Sequence, residues 1–406
     1  MESLKNFGSN KKMKESLFNY RFEYENQKYI FNTNNNGLIQ INNDIFTEEE
    51  REYLRVNRFW VDDNEDEIAL LEREINHNIQ KRQKELELTI ALTNYCNFSC
   101  VYCYQNKNEK LMTTEVANMI IEKIDRILND NIFEGINIHY FGGEPLLNIP
   151  VLIYLDENIK KITDKIGIVY EAFLTTNGSM LSKELLQKVK FSSIQLTFDG
   201  LEKTHDRLRV SDHFHFKEEI ELIENIMNFS QAKVLLRTNI CKENKDEIIA
   251  LHKYIFEKFG NERIEINPNR TIKYHQDDSF EMLSVQEYAE VAYQIKLLWS
   301  EQKGKFELPV PRSTPCKFPY GNAYAISPEG YCTFCSGSMD QEKKYFFDVD
   351  IENKKMFSVR KECKKCNILP LCLGGCIIQY NLRAGACTYE KYELKNILIS
   401  YIKHIS

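Results

Sequence analysis

No stretch of this sequence is apolar over the roughly 20 residues that a helix needs to cross a bilayer, so a membrane-spanning protein is not expected. A basic excess is missing too: 53 Lys and Arg stand against 60 Asp and Glu, for a net charge of −7. That balance leaves no electrostatic footprint for nucleic acid or an anionic membrane. The opening segment, Met1 to Phe18, is polar and lysine-containing and lacks the apolar core of a secretory signal. The chain does have cysteine in quantity, 12 of its 406 residues. Without an export signal, clustered thiols point to metal rather than disulfides. An apolar fraction of 43% and a charged fraction of 28% fit an ordinary globular protein. The length allows two or three domains.

Three of the thiols, Cys96, Cys100 and Cys103, follow the β-rich run Leu86-Glu87-Leu88-Thr89-Ile90-Ala91-Leu92 at spacing C-x3-C-x2-C. The run reads as a buried strand, which places the thiols on a loop at its C-terminal end, where parallel α/β folds put their chemistry. Four cysteines close a zinc or iron–sulfur shell, whereas three leave one corner open. The plainer readings are a zinc knuckle or buried core thiols, but zinc sites are usually assembled from paired C-x2-C units.

Around this loop the chain sorts into three parts, 1–85, 86–303 and 304–406. The first part reads as a hairpin (Tyr20–Tyr24 and Tyr29–Asn32), a strand at 38–41, a short helix opened by Thr47-Glu48-Glu49-Glu50 and a charged helix over 65–85. From residue 86, strands over 86–93, 136–140, 170–175, 193–198, 233–238 and 263–267 alternate with helical patterns over 114–129, 150–165, 182–190, 218–228, 245–259 and 285–301. Ser284-Val285-Gln286-Glu287 is a capping-box pattern opening the last helix. Six β/α units predict an α/β fold with a curved parallel sheet and outer helices, too few for a closed eight-unit barrel. After Lys303 the pattern breaks at Leu308-Pro309-Val310-Pro311, and cysteine and turn residues follow.

The C-x3-C-x2-C loop with Tyr102 and Tyr104 resembles the signature of radical S-adenosylmethionine (SAM) enzymes. The resemblance implies a partial (β/α)6 TIM-like barrel and a [4Fe–4S] cluster on Cys96, Cys100 and Cys103 whose open iron takes SAM. It implies SAM contacts at Gly142, Gly143 and Glu144 of Phe141-Gly142-Gly143-Glu144-Pro145. Thr176 and Asn177 of Thr175-Thr176-Asn177-Gly178 would meet the ribose and carboxylate of SAM, with Tyr102 beside the cluster. Arg237 either forks onto the SAM carboxylate or sits in a buried ion pair with Asp199. Paired glycines after a strand also suit any close backbone approach, and each polar residue here also suits an ordinary turn.

Cys316, thirteen residues, Gly330, four residues and Cys335 make one further pattern; Cys363-x2-Cys366-x5-Cys372-x3-Cys376 with Cys387 ten residues on makes another. Together they resemble the SPASM extension of radical SAM peptide maturases. This implies two auxiliary [4Fe–4S] clusters, three clusters in all: one auxiliary on Cys363, Cys366, Cys372 and Cys387, the other on Cys316, Cys335 and Cys376, with Cys332 the candidate fourth ligand. Two zinc ribbons are the alternative. Cys241, left over, reads as a buried core thiol. The implied activity is cleavage of SAM to a 5′-deoxyadenosyl radical that modifies a leader-guided, ribosomally made precursor peptide with a thioether or carbon–carbon crosslink. A reductant such as flavodoxin or ferredoxin would serve as partner, with no nucleic acid or membrane, in the cytoplasm of a cell with anaerobic capacity. Residues 1–85 are either a peptide-recognition (RRE-like) domain or a packing extension. The family also includes anaerobic sulfatase maturases, in which an Asp follows a cluster cysteine. Here Ser336 follows Cys335, and Asp340 stands four residues further on. Asp199 and Asp340 are the candidate catalytic carboxylates; a non-catalytic zinc-binding protein is the reading from another class.

Overall fold

The computed structural model describes residues 12–41, 46–105, 107–130, 133–260, 263–273, 279–333, 335–337, 344–349, 356–376 and 387–405. The chain packs as two units that do not follow chain order. One comprises Met1–Asn78, Gly304–Cys316 and Met356–Ser406; the other comprises Ile79–Lys303 and Lys317–Lys355.

In the first unit, β1 (Met13–Glu15) pairs antiparallel with β5 (Trp60–Asp62), while β2 (Asn19–Tyr24), β3 (Gln27–Asn32) and β4 (Gly37–Ile41) form an antiparallel meander. Glu25 and Asn26 both have positive φ, so β2 and β3 join through a two-residue turn that matches the strand twist. Side-chain alternation then splits the meander's apolar residues between two faces. Phe22, Tyr29 and Phe31 meet Leu394, Leu398 and Ile402 of α12 (Glu390–Ile405) on one side. Ile30 and Ile41 meet Leu54 of α1 (Glu48–Val56) on the other. The expected helix start is present as a complete capping box between Thr47 and Glu50. The charged helix is α2 (Glu67–Arg82), within the span expected for it.

The second unit is organised by one sheet in the order β11-β10-β9-β8-β7-β6-β12-β13-β14. Its parallel strands are β6 (Glu85–Ala91), β7 (Gly135–Phe141), β8 (Val169–Thr175), β9 (Phe191–Thr197), β10 (Lys233–Ile240) and β11 (Ile264–Arg270). The intervening helices are α3 (Thr114–Asp130), α4 (Ile149–Ile166), α5 (Lys183–Lys188), α6 (Glu202–Leu208), α7 (Phe216–Phe229), α8 (Ile248–Phe259) and α9 (Val285–Lys303). This is the expected partial barrel. A short helix, α10 (Lys317–Tyr320), leads to β12 (Ala323–Ile326), which pairs parallel with the free edge of β6; β13 (Tyr331–Thr333) and β14 (Lys344–Tyr345) follow antiparallel.

Two side-chain relays show which face of the sheet is packed by helices. Thr238 of β10 bonds His252 of α8, which in turn accepts from Trp299 of α9. Tyr140 of β7 reaches Tyr170, which donates to Asp156 of α4. Residues of the opposite parity, His139, Thr175, Gln195, Arg237, Asn239 and Asn267 among them, therefore share the inner face. No helix among the described residues is long and apolar enough to cross a membrane.

Candidate functional site

The cysteine loop leaves β6 and is pinched shut at its base. Met112 N donates to Leu92 O at 2.8 Å and Asn94 N to Lys110 O at 3.1 Å, while the Thr93 hydroxyl donates to Lys110 O and accepts from Tyr95 N. The loop's middle is zipped to the end of α6 and the residues just after it: Ser99 N donates to Val210 O at 2.8 Å and Val101 N to Leu208 O at 3.0 Å. Its other support is the end of β7. Gly143 N donates to Thr93 O at 2.8 Å and Glu144 N to Tyr95 O at 2.9 Å.

The structure gives the glycine pair a contact inside the protein. A Cβ at Gly142 would collide with the Thr93 carbonyl, and one at Gly143 with the Tyr95 carbonyl. Gly142 also has φ +136°, a value that L side chains rarely adopt. The glycines are needed so that the cysteine loop can lie against β7. Their own carbonyls take no hydrogen bond among the described residues.

Glu144 likewise has work within the protein. Its carboxylate is fully buried and accepts from Thr176 Oγ1 at 2.6 Å, Leu146 N at 3.0 Å and Asn177 N at 2.6 Å. Burial pushes its pKa up while these three donors pull the other way. The bonds tie the end of β7 to the turn after β8. From that turn, Asn177 Nδ2 reaches Asn97 Oδ1 at 2.8 Å and Cys96 Sγ at 3.8 Å, and Asn97 donates to Ser179 Oγ at 2.9 Å. Glu144, Thr176 and Asn177 thus form a brace behind the thiol of Cys96.

Tyr102 donates a short hydrogen bond to Asp199, which is fully buried and also accepts from Asn239 N at 2.7 Å. Burial raises the pKa of both groups. Arg237 does not pair with Asp199; its Nε donates to Asn239 Oδ1 at 2.9 Å. Cys241 is buried as expected, against Leu208 and Phe280 with Val101 and Tyr102 beside them, and its thiol is pushed up to about 12, chiefly by burial. Asp340 lies outside the described residues.

Among the described residues no three His, Cys, Asp or Glu side chains converge on a single-ion site. Thiols that share a cubane stand further apart, each on its own iron. The donor set fits such a group: Cys96, Cys100 and Cys103 are partly buried on one loop, and the charge of Cys103 acts on both Cys96 and Cys100. Burial pushes Cys96 up, and Cys100 up to about 11, while Lys107 and Arg209 respectively pull them down. Arg209 escaped the sequence reading. It follows α6 between the two residues that zip to the loop, is buried, and lies over the Phe98 ring at 5.3 Å. Buried Glu219, which faces His205 at 3.0 Å, raises the pKa of Arg209 against the cost of burial.

Of the remaining cysteines, Cys332 is buried on β13 and Cys335 accepts from Gly337 N at 3.3 Å. Cys363, Cys366 and Cys372 lie around the short helix α11 (Leu369–Cys372); Cys366 N donates to Cys363 O at 3.0 Å. Cys387, which precedes α12, belongs to the same unit. Cys316 and Cys376 are exposed.

The polar row on the inner face was also not anticipated. His139 Nε2 lies 2.8 Å from Thr175 Oγ1, Gln195 Nε2 donates to Thr175 Oγ1 at 3.4 Å, and Asn267 Nδ2 donates to Gln195 Oε1 at 3.3 Å. Its signal in the sequence is polar residues at alternate positions of otherwise apolar strands, as in Asn137 and His139 or Arg237 and Asn239.

Residues 90–255 match the model of the radical SAM superfamily. An uncharacterised protein of Methanocaldococcus jannaschii is 34% identical over 119 residues, 28% of this chain, and the chain spans only 39% of that relative's length. The radical SAM cyclopropyl synthase TigE of Paramaledivibacter caminithermalis is 24% identical over 80% of this chain and 76% of its own length. Among solved structures, anSMEcpe with bound AdoMet and the peptide Cp18Cys matches with a TM-score of 0.61 at 19% identity, covering 79% of this chain and 98% of that one. Streptococcus suis SuiB bound to precursor peptide SuiA matches with a TM-score of 0.54 at 15% identity, covering 91% and 97%. Residues 90–255 thus resemble the radical SAM superfamily, and the chain shares the partial-barrel fold of anSMEcpe and SuiB, with a cysteine-rich C-terminal segment.

Proposed function

We propose that the chain cleaves SAM reductively and applies the resulting radical to a ribosomally made precursor peptide. The observation that carries this reading is the three-thiol loop seated on Gly142 and Gly143 at the C-terminal end of a parallel sheet. Cys96, Cys100 and Cys103 would hold one [4Fe–4S] cluster. Bound there with SAM, it would supply a 5′-deoxyadenosyl radical able to take hydrogen from an unactivated carbon. The protein's part is placement. The carbonyls of Gly142 and Gly143 would accept from the amino group of SAM. Asn177 donates towards Cys96 Sγ, and the Glu144 brace keeps that donor in place. Lys107 and Arg209 offset negative charge gathering on the thiolates.

Cys363, Cys366, Cys372 and Cys387 would hold one auxiliary cluster, and Cys316, Cys332, Cys335 and Cys376 the other, as acceptors for the electron that leaves the product radical. A peptide substrate is supported by the peptides in the names of the SuiB and anSMEcpe structures. The product would be a thioether or carbon–carbon bond, with flavodoxin or ferredoxin as reductant. Residues 1–85 would hold the leader.

The test is anaerobic loading with iron and sulfide, followed by SAM and a reductant. The expected protein is brown, carries roughly twelve iron atoms per chain for three cubanes and forms 5′-deoxyadenosine. Replacing Cys96, Cys100 and Cys103 together by Ala should remove roughly four of those irons and all of the 5′-deoxyadenosine. A colourless, zinc-loaded wild type that leaves SAM intact overturns the proposal.

A further inference from the structure

Arg237 is a cation on the inner face of the sheet, and no described carboxylate pairs with it. Its neighbour Thr238 bonds His252 on the helix side, so Arg237 and Asn239 belong to the inner face. The guanidinium donates to a neutral amide, Asn239 Oδ1, and among the described residues it has no carboxylate partner. Asp199, which ends the neighbouring strand, is already engaged by Tyr102 and Asn239 N.

Next to Arg237 the face is rich in donors. Asn267 stands directly across from it on β11 and gives one amide hydrogen to Gln195 Oε1, and Gln195 gives one to Thr175 Oγ1. A primary amide carries two hydrogens, so each of these side chains keeps a second N–H beyond the row. A guanidinium fork with spare amide N–H groups beside it is complementary to a carboxylate.

We propose that Arg237, assisted by Asn267 and Gln195, anchors a carboxylate of the substrate, either an Asp or Glu side chain or the free C-terminus of a peptide. This rests on the peptide reading above, and it assigns Arg237 to the substrate rather than to SAM.

The experiment is affinity selection on the cluster-loaded, SAM-bound enzyme with randomised synthetic decapeptides read by mass spectrometry. One arm carries Asp and Glu or their amides; the other carries a free or an amidated C-terminus. Wild type should enrich one carboxylate form at least about tenfold over its amide counterpart, and the arm that responds tells side chain from terminus. Arg237→Gln should abolish the preference. Arg237→Lys should keep part of it, as a charge without the fork. SAM affinity of Arg237→Gln should stay within about twofold of wild type. Peptides retained by wild type without a carboxylate preference would overturn the anchor and leave the peptide reading standing. Parallel loss of SAM affinity in Arg237→Gln would also overturn it, by giving the guanidinium to SAM. A wild type that retains no peptide overturns both readings.

Discussion

At the scale of single residues, the site depends on atoms that are missing. Gly143 has no Cβ, and the Tyr95 carbonyl occupies the place where one would be. That collision is with backbone, so no rotamer change relieves it, and the cysteine loop itself would have to move. Gly143→Ala should therefore cost about 1–3 kcal/mol, the usual range for overpacking. It should also lower iron content by roughly four atoms per chain while leaving the auxiliary sites loaded. Gly167 supplies the control. It caps α4 with φ +77° and open space around its Cβ position, so Gly167→Ala should cost roughly 1 kcal/mol with no loss of iron. Iron assay and thermal melting read both outcomes, and equal iron loss in the two variants would refute the collision argument. The cysteine loop's place after a strand and the buried Cys241 were legible from residue type and spacing; the glycines' seat under that loop was not. The occupation of Glu144, Thr176 and Asn177 was not, because their partners lie on other strands and in the loop they brace.

At the scale of elements, the six parallel strands were readable because each is a short apolar run between turn signals. Strand β12 was not. It is four residues long, and its register comes from distant partners: Glu87 N donates to Asn322 O at 2.8 Å, Asn322 Nδ2 to Gln83 O at 2.5 Å and Gln83 Nε2 to Tyr320 O at 3.2 Å. At the centre is Glu87, largely buried on β6, with Lys317 Nζ at 2.6 Å and Arg82 Nε at 3.0 Å. Both cations are about one-third exposed, 31% and 34%, so losing their partner leaves them partly solvated. Glu87→Gln should thus cost on the order of 1–3 kcal/mol, below the value for a fully buried pair. The loss should appear locally, as faster hydrogen exchange over 323–333 with β8 and β9 unchanged. Uniform loss of protection across the sheet would contradict a local clamp. Because β12 leads through a tight turn into β13, the clamp also steadies the hairpin that carries Cys332.

At the scale of the whole molecule, a buried histidine on each face of the sheet ties stability to pH. On the helix side His252 is almost fully buried, and Trp299 Nε1 donates to its Nδ1 at 3.1 Å. Nδ1 must then be unprotonated, which leaves Nε2–H to donate to Thr238 Oγ1 at 3.2 Å. A second proton would set N–H against N–H, and burial without a nearby anion pushes the group down to about 4. An unfolded histidine titrates near 6.5, so between about pH 6.5 and about pH 4 the unfolded chain binds a proton that the folded one refuses. Stability must fall as pH drops through that window, by about 2 kcal/mol at pH 5 from His252 alone. His139 on the inner face, also pushed down to about 4 by burial, adds in the same direction. His252→Gln keeps an acceptor and a donor without a titrating proton. Its urea-unfolding free energy should therefore drop about 2 kcal/mol less than wild type between about pH 7 and about pH 5, with Trp299 fluorescence as the probe. If wild type and His252→Gln lose stability in parallel over that range, the buried imidazole is not what makes the barrel acid-sensitive.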